Sequence, residues 1–352
     1  MLSELQKAII YRSSIRFLSP EGEIDVLRGR IVNAEKGDTF GLEALVDLLE
    51  SEDWKMEPLD STPPVTINED WISIKDRIFP SKGYSEDFSL FFKDLEFRSD
   101  ELPRFMDWIR NVRFTGFVVS DNALLAFIDG EPYYTRMVDE GQVYTGSRGF
   151  YRFLGSNQKL DVYQASPAVV NIFVSSISAS REVDREAVPS IRVGFAREGS
   201  SGIIASPERF EVFQDGIRIV NSTDTEFVGK AFPNVGGDRA VVGLAEYEPE
   251  PIKVSLLSRE DLSILRSVYD RTLEGLRSKV GKELMESIVG RQAPSEEEPD
   301  RMIEVLRELL KRAKEIGGKA WIKKHKESLL EDINRIEDAE LRKKVLKLFD
   351  RV

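Results

Sequence analysis

The chain has 352 residues, 41% hydrophobic and 32% charged, enough for two or three domains with buried cores. It has no cysteine and one histidine, which excludes thiol nucleophiles, disulfide scaffolds, iron–sulfur clusters and any two-histidine metal site. Fifty basic against 62 acidic residues give a net charge of −12, unfavourable for a phosphate backbone unless the basic residues are segregated.

No stretch reaches the ~18 consecutive apolar residues of a membrane span, and MLSELQKAII lacks a basic region followed by an apolar one. The expectation is a cytoplasmic protein without membrane contact. Six Gln, nine Asn and abundant Glu, Lys and Arg match the bias of thermophile proteins.

In chain order, Leu2, Leu5 and Ile9 recur at helical spacing. From Ser14 to Leu59, alternation at Ile15 and Phe17, a Pro20–Gly22 turn, alternation at Ile24 and Val26 and a turn at Gly29 predict two strands. Ile31, Val32 and Ala34 make a third. Leu42, Leu45, Leu48 and Leu49 then predict a helix, and Trp54, Met56 and Leu59 a closing strand.

Residues 68–99 read as a linker with a Phe-rich helix, whose stripe would be Phe88, Phe91, Phe92 and Leu95. A second copy follows. Leu102, Phe105 and Ile109 predict its opening helix, with Asp100 as cap, and the rest runs from Phe114 to Tyr163. Phe117 and Val119 precede a Ser-Asp-Asn turn, Leu125 and Phe127 lead to Asp129-Gly130, Tyr133 to Met137 form a strand, and Phe150, Phe153 and Leu154 sit on a helix. Gly130 corresponds to Gly29, and Gly146 to Gly41 after an insertion. Glycine at such turns supplies a positive φ that other residues adopt at a cost.

A third, divergent copy is read between 166 and 257. The helix from Ser166 and Pro167 opens it, and IVN at 219–221 with Gly229 matches IVN at 31–33 with Gly41 at one offset. Leu262, Leu265, Tyr269, Leu273 and Leu276 stripe a helix within 258–289, with Ser258 and Asp261 resembling a capping box. Residues 290–300 read as a linker, and 301–352 as a helical tail divided at Gly317-Gly318. Leu306, Leu309, Leu310 and Ala313 give its apolar face before the division, and Trp321, Leu329, Leu330, Ile333, Val345 and Phe349 after it. That tail holds 15 basic against 10 acidic residues, leaving 35 against 52 in residues 1–300. Lys and Arg interleaved with Glu mark solvated helix faces, so nucleic acid is not the expected partner.

The usual catalytic signatures are absent: no GxxxxGK[ST], no GxGxxG and no GxSxG. His325 lies among lysines in WIKKHKESLL and reads as a packed or exposed helix residue. The acidic groups Glu21/Glu23/Asp25, Asp139-Glu140 and Asp224/Glu226 lack calcium-loop spacing. Neither a metal nor another cofactor is expected.

Five of nine tyrosines fall in the second copy, and Tyr133, Tyr134, Tyr144 and Tyr151 interleave there with Arg136, Arg148 and Arg152. Tyr and Arg dominate interface hot spots, so these seven are the candidate partner-binding residues. Packing of the tyrosines between sheet and helix is the competing reading. An anion or nucleotide site at the helix start near Gly146 and Arg148 is a third.

The first copy resembles the PATAN domain family through Gly29, Ile31, Val32, Ala34, Gly37, Gly41, Ala44, Leu48, Leu49 and Trp54. The match covers about 60 residues well and the second copy loosely, and the chain as a whole resembles archaeal proteins carrying such units. The resemblance implies adaptor roles beside signalling receivers, small GTPases or roadblock-type proteins, and brings no catalytic residues.

The expected architecture is α+β, with two or three α-β-β-β-α-β units (1–67, 100–165 and, divergent, 166–257) and an all-helical C-terminal module. The expected function is a non-enzymatic protein-interaction adaptor, the alternative a nucleotide or anion sensor.

Overall fold

A computed structural model describes residues 1–79, 83–252, 254, 259–280, 299–336 and 338–351. The fold is mixed α+β with three antiparallel sheets and a run of C-terminal helices. It divides into two compact units, Met1–Gly146 with Ser156–Ile252, and Ser147–Gly155 with Lys253–Val352.

The first sheet begins with α1 (Leu2–Ile10), then β1 (Ile15–Ser19), β2 (Gly22–Leu27), β3 (Arg30–Lys36), the two-residue β4 (Thr39–Phe40), α2 (Leu42–Leu48) and β5 (Lys55–Pro58). Its strand order is β4-β3-β2-β1-β5. The apolar residues that predicted these elements, Leu5, Phe17, Ile24, Val26, Ile31, Ala34, Leu45 and Leu48, form its core.

After α3 (Trp71–Ile78), the Phe-rich stretch is β6 (Phe88–Phe97), a strand and not the expected helix. Phe88, Leu90 and Phe92 alternate inward with a period of two, and after Asp94, at φ 54, the alternation resumes with Leu95 and Phe97. That one-residue irregularity placed Phe88, Phe92 and Leu95 at spacings that also fit a helix. The second sheet continues with α4 (Leu102–Asn111), β7 (Gly116–Val119), β8 (Ala123–Ile128), β9 (Glu131–Asp139), β10 (Gln142–Thr145), α5 (Gly146–Leu154) and β11 (Gln158–Ala165). Its order, β10-β9-β8-β7-β11-β6, is that of the first sheet with β6 added outside β11. The N-cap of α4 is Glu101 rather than Asp100, and its carboxylate accepts from Arg98 N–H at 2.9 Å.

Next come α6 (Pro167–Ile177), β12 (Arg181–Asp184), α7 (Val188–Glu198), β13 (Gly202–Ser206), β14 (Arg209–Gln214), β15 (Ile217–Ser222), α8 (Thr225–Ala231) and β16 (Arg239–Leu244). The order β15-β14-β13-β16-β12 again follows the first sheet, without a fourth strand and with β12 outside β16. The helix preceding β13 is α7, not the expected α6. Instead, α6 packs between the second and third sheets, where Val169, Val170 and Phe173 share one core with Phe88, Phe117, Tyr163, Phe210 and Phe227. Ser166 caps it as expected, accepting from Val169 N–H. Gly229 lies inside α8, whereas Gly41 is the N-cap of α2 at φ 77, so their shared offset is not a structural equivalence.

One local construction recurs at fixed spacing in all three sheets. Each helix before a first strand ends on a left-handed residue, Arg12, Arg113 or Gly199, and the next residue's N–H reaches back five residues, from Ser13 to Ala8, Phe114 to Ile109 and Ser200 to Phe195. Sixteen residues after that position, the turn glycine donates to its carbonyl: Gly29 to Ser13 at 2.9 Å, Gly130 to Phe114 at 2.8 Å and Gly216 to Ser200 at 2.9 Å. The residue before each glycine donates its N–H to a hydroxyl, Arg28 to Ser14, Asp129 to Thr115 and Asp215 to Ser201. A Cβ at Gly29 would lie 2.8 Å from the Ile9 carbonyl oxygen, so close approach as well as positive φ requires glycine there.

The second unit contains α9 (Arg259–Val280), α10 (Pro299–Arg335) and α11 (Ala339–Arg351), with Ser147–Gly155, which includes all of α5 but Gly146. Gly318, at φ 70 and ψ 175, breaks α10 where the glycine pair predicted. Leu265, Tyr269, Leu276, Leu306, Leu309, Leu310, Leu329, Ile333 and Val345 form its core, while Leu330 is exposed. Ser258 and most of the expected linker 290–300 lie outside the described residues; Pro299 and Asp300 begin α10.

Candidate functional site

The seven candidate residues are divided between the compact units: Tyr133, Tyr134, Arg136 and Tyr144 lie in the first, and Arg148, Tyr151 and Arg152 in the second. Along β9, Pro132, Thr135 and Met137 are buried, with an irregularity in the pairing to β8 between Pro132 and Tyr134, and Tyr133 and Tyr134 are partly buried. Tyr133 and Tyr134 both pack against the core that α6 shares, and the Tyr134 ring meets Phe173 edge-on at 6.2 Å. Burial raises the Tyr134 hydroxyl above its ordinary value.

Arg136 donates to the Lys230 carbonyl of α8 at 3.1 Å. Its Nε is buried without a hydrogen-bond partner, and desolvation lowers the guanidinium from its usual value. Tyr134 thus meets α6, and Arg136 meets α8.

A polar network continues that junction. Lys230 Nζ lies 2.5 Å from Asp161 Oδ2, and Asp161 Oδ1 accepts from the Asp94 N–H at the irregularity in β6. Asp224 caps α8 through Oδ1, which accepts from the N–H groups of Glu226 and Phe227. Its Oδ2 accepts from Tyr84 Oη at 2.5 Å and Tyr163 Oη at 3.0 Å. Burial and the carboxylate raise both tyrosine hydroxyls, Tyr163 well above its ordinary value, so both remain donors. Asp224 is thus a helix cap, and Glu226 pairs with Lys93 at 3.2 Å. Glu21 pairs with Lys36, and Asp25 is held by Arg16 at 2.6 Å. Among the described residues no group of three or more His, Cys, Asp or Glu converges to hold a metal ion.

Tyr144 lies on β10, the outer strand of the second sheet, where its hydroxyl donates to Gln142 Oε1 at 2.9 Å. Its neighbour Val143 is 63% exposed. The corresponding edges carry Phe40 on β4, 53% exposed, and Ile217 on β15, 69% exposed. Each sheet thus ends on the same side with a large exposed apolar side chain on its outer strand. β4 and β10 escaped sequence reading because they are short and lie directly after the Gly37 and Gly141 turns.

The helix α5 begins at Gly146, φ 62, the last residue of the first unit's N-terminal part, and carries Arg148 in its first turn. Tyr151 is buried and meets Phe150 edge-on at 6.0 Å. His325 stacks on Trp321 at 4.6 Å, and its Nε2 is 3.1 Å from Thr272 Oγ1. Burial, with Arg271 nearby, lowers the imidazole below its ordinary value.

No known protein family matches the chain, and no curated protein or solved structure does. No described helix is long and apolar enough to cross a membrane.

Proposed function

We propose that the chain is a non-enzymatic protein-interaction adaptor, built from three divergent copies of one α-β-β-β-α-β unit of PATAN type. The observation that carries the reading is the apolar edge repeated on all three sheets, at Phe40, Val143 and Ile217. Exposed edge backbone beside an apolar side chain is the chemistry that receives an extended segment or a flat protein surface. The recurring turn and helix-end bonds support the three-copy reading, since they join residues distant in sequence at one spacing. The resemblance of the first copy adds small GTPases or roadblock-type proteins in the cytoplasm as the partner class.

Affinity capture with the intact chain tests this. A stoichiometric partner that is retained by the native chain and lost by Val143→Asp is the expected result. Capture of no such partner overturns the reading. A nucleotide or anion sensor acting at α5 would instead show a rise in melting temperature with nucleotide, abolished by Arg148→Ala.

A further inference from the structure

We propose that β5 is a docking edge for a second copy of this chain, joining the first sheets of two molecules into one antiparallel sheet about a two-fold axis at Met56. The three sheets themselves single out this edge. The N–H of Leu59 donates to the Ser14 carbonyl, as Ala165 does to Thr115 and Ala245 to Ser201, which aligns β5, β11 and β16. Met56 then corresponds to Val162 and Val242, opposite Phe17, Val118 and Ile204 respectively. Beyond Val162 lies β6, with Phe92 as cross-strand partner; beyond Val242 lies β12, with Arg181. Beyond Met56 there is no strand among the described residues, and all four residues of β5 are exposed.

The backbone of β5 is oriented for a partner. Ser14 and Leu59 form a hydrogen-bonded pair, so by alternation Glu57 and Lys55 also face β1. The N–H and C=O of Met56 therefore point outward, and so does the position on Pro58 where an N–H is missing, the placement an edge strand tolerates.

The occupant follows from charge. Lys55 and Glu57 flank Met56 symmetrically. An antiparallel second copy with Met56 on the axis sets Lys55 opposite Glu57 of the other molecule, twice, as non-hydrogen-bonded pairs with close side chains. The two Met56 residues exchange both backbone bonds, and Trp54 N–H meets the Pro58 carbonyl. Met56, 52% exposed, gains its own copy as cover on the face it shares with Phe17. Lysine and proline also guard edges against indiscriminate pairing. The self-complementary spacing satisfies that lysine only with a like strand. A pairing this short buries less than the about 1,200 Å² of a standard interface, so a dissociation constant on the order of micromolar is expected.

Sedimentation velocity of the full chain over a range of concentrations tests the proposal. A concentration-dependent dimer is expected, weakened roughly tenfold by Glu57→Lys or Lys55→Glu, each of which sets like charges opposite one another. The double variant restores complementarity and recovers the native constant. Met56→Pro removes the N–H on the axis and abolishes the dimer, and circular dichroism verifies that each variant is folded. A monomer at every concentration overturns the proposal, as does a dimer indifferent to the single variants or not recovered by the double one.

Discussion

Glu211 lies directly opposite Asn221 across β14 and β15, fully buried, and Asp25 stands in the same relation to Asn33 across β2 and β3. Each carboxylate is met by arginine. Arg16 holds Asp25 through Nε at 2.6 Å and Nη2 at 3.1 Å, while Glu211 is held by Arg192 at 2.6 Å and Arg218 at 2.8 Å. Asn33 further donates to Asp25 at 3.2 Å and accepts from Thr66 Oγ1 at 2.8 Å, which ties the chain after β5 to the sheet. The carboxylates are desolvated, but their arginines reach water.

Glu211→Gln is expected to cost about 1–3 kcal/mol, because charge-assisted bonds to a buried acceptor are weakened together. Arg218→Gln removes a partly solvated arginine and costs less than about 1 kcal/mol. Urea unfolding of both variants checks the order, and equal losses would contradict it.

Gly130→Ala is expected to be far more damaging than Gly141→Ala. Both glycines have positive φ, 82 and 77, but a Cβ on Gly130 lies 2.8 Å from Arg110 Cα, whereas one on Gly141 meets nothing within 4 Å. The open site carries only the left-handed strain of about 1–2 kcal/mol, and the crowded site adds at least as much again. Thermal unfolding of the two variants reads the difference.

Asp224→Ala removes the cap of α8 and leaves the buried Tyr163 hydroxyl without this acceptor. A loss of about 2–4 kcal/mol is expected, against about 1 kcal/mol for Tyr84→Phe, which leaves the cap in place. Denaturant titration distinguishes them.

The imidazole of His325, lowered by burial, is neutral in the folded chain at a pH where the unfolded chain takes up a proton. Stability of the helical unit is therefore constant above the unfolded value near 6.5 and falls as pH drops through and below it. As the chain's one histidine, it is the side chain whose substitution tests the effect. Melting curves between about pH 5.5 and 7.5 should show the slope in the native chain and its absence in His325→Gln.

Much of the fold is legible in the sequence because its apolar periods are clean. Phe17, Ile24 and Val26 alternate, and Leu42, Leu45 and Leu48 step by three. The IVN segments at 31 and 219 lie on β3 and β15, where Asn33 is opposite Asp25 and Asn221 opposite Glu211. The Phe-rich stretch misleads because the backbone at Asp94 inserts an odd step into an even alternation. The helix before β13 is harder to find: α6 is apolar on nearly every side, while α7 has few buried residues. Tyr133, Tyr134 and Arg136 carry hot-spot chemistry, but the contacts of Tyr134 with α6 and of Arg136 with α8 are made to elements some 30 to 90 residues further along. Local spacing carries no such information.

The sharing of α6 sets the scale of cooperativity in this part of the molecule. Its Val169, Val170 and Phe173 belong at once to the layer below β7 and β8 and to the layer above β13 and β14. The second and third sheets are therefore one folding unit, whose amides should exchange with a common opening free energy. A fragment cut at 165/166 would expose the inner faces of both sheets to water, and neither the second nor the third sheet would keep the core they share.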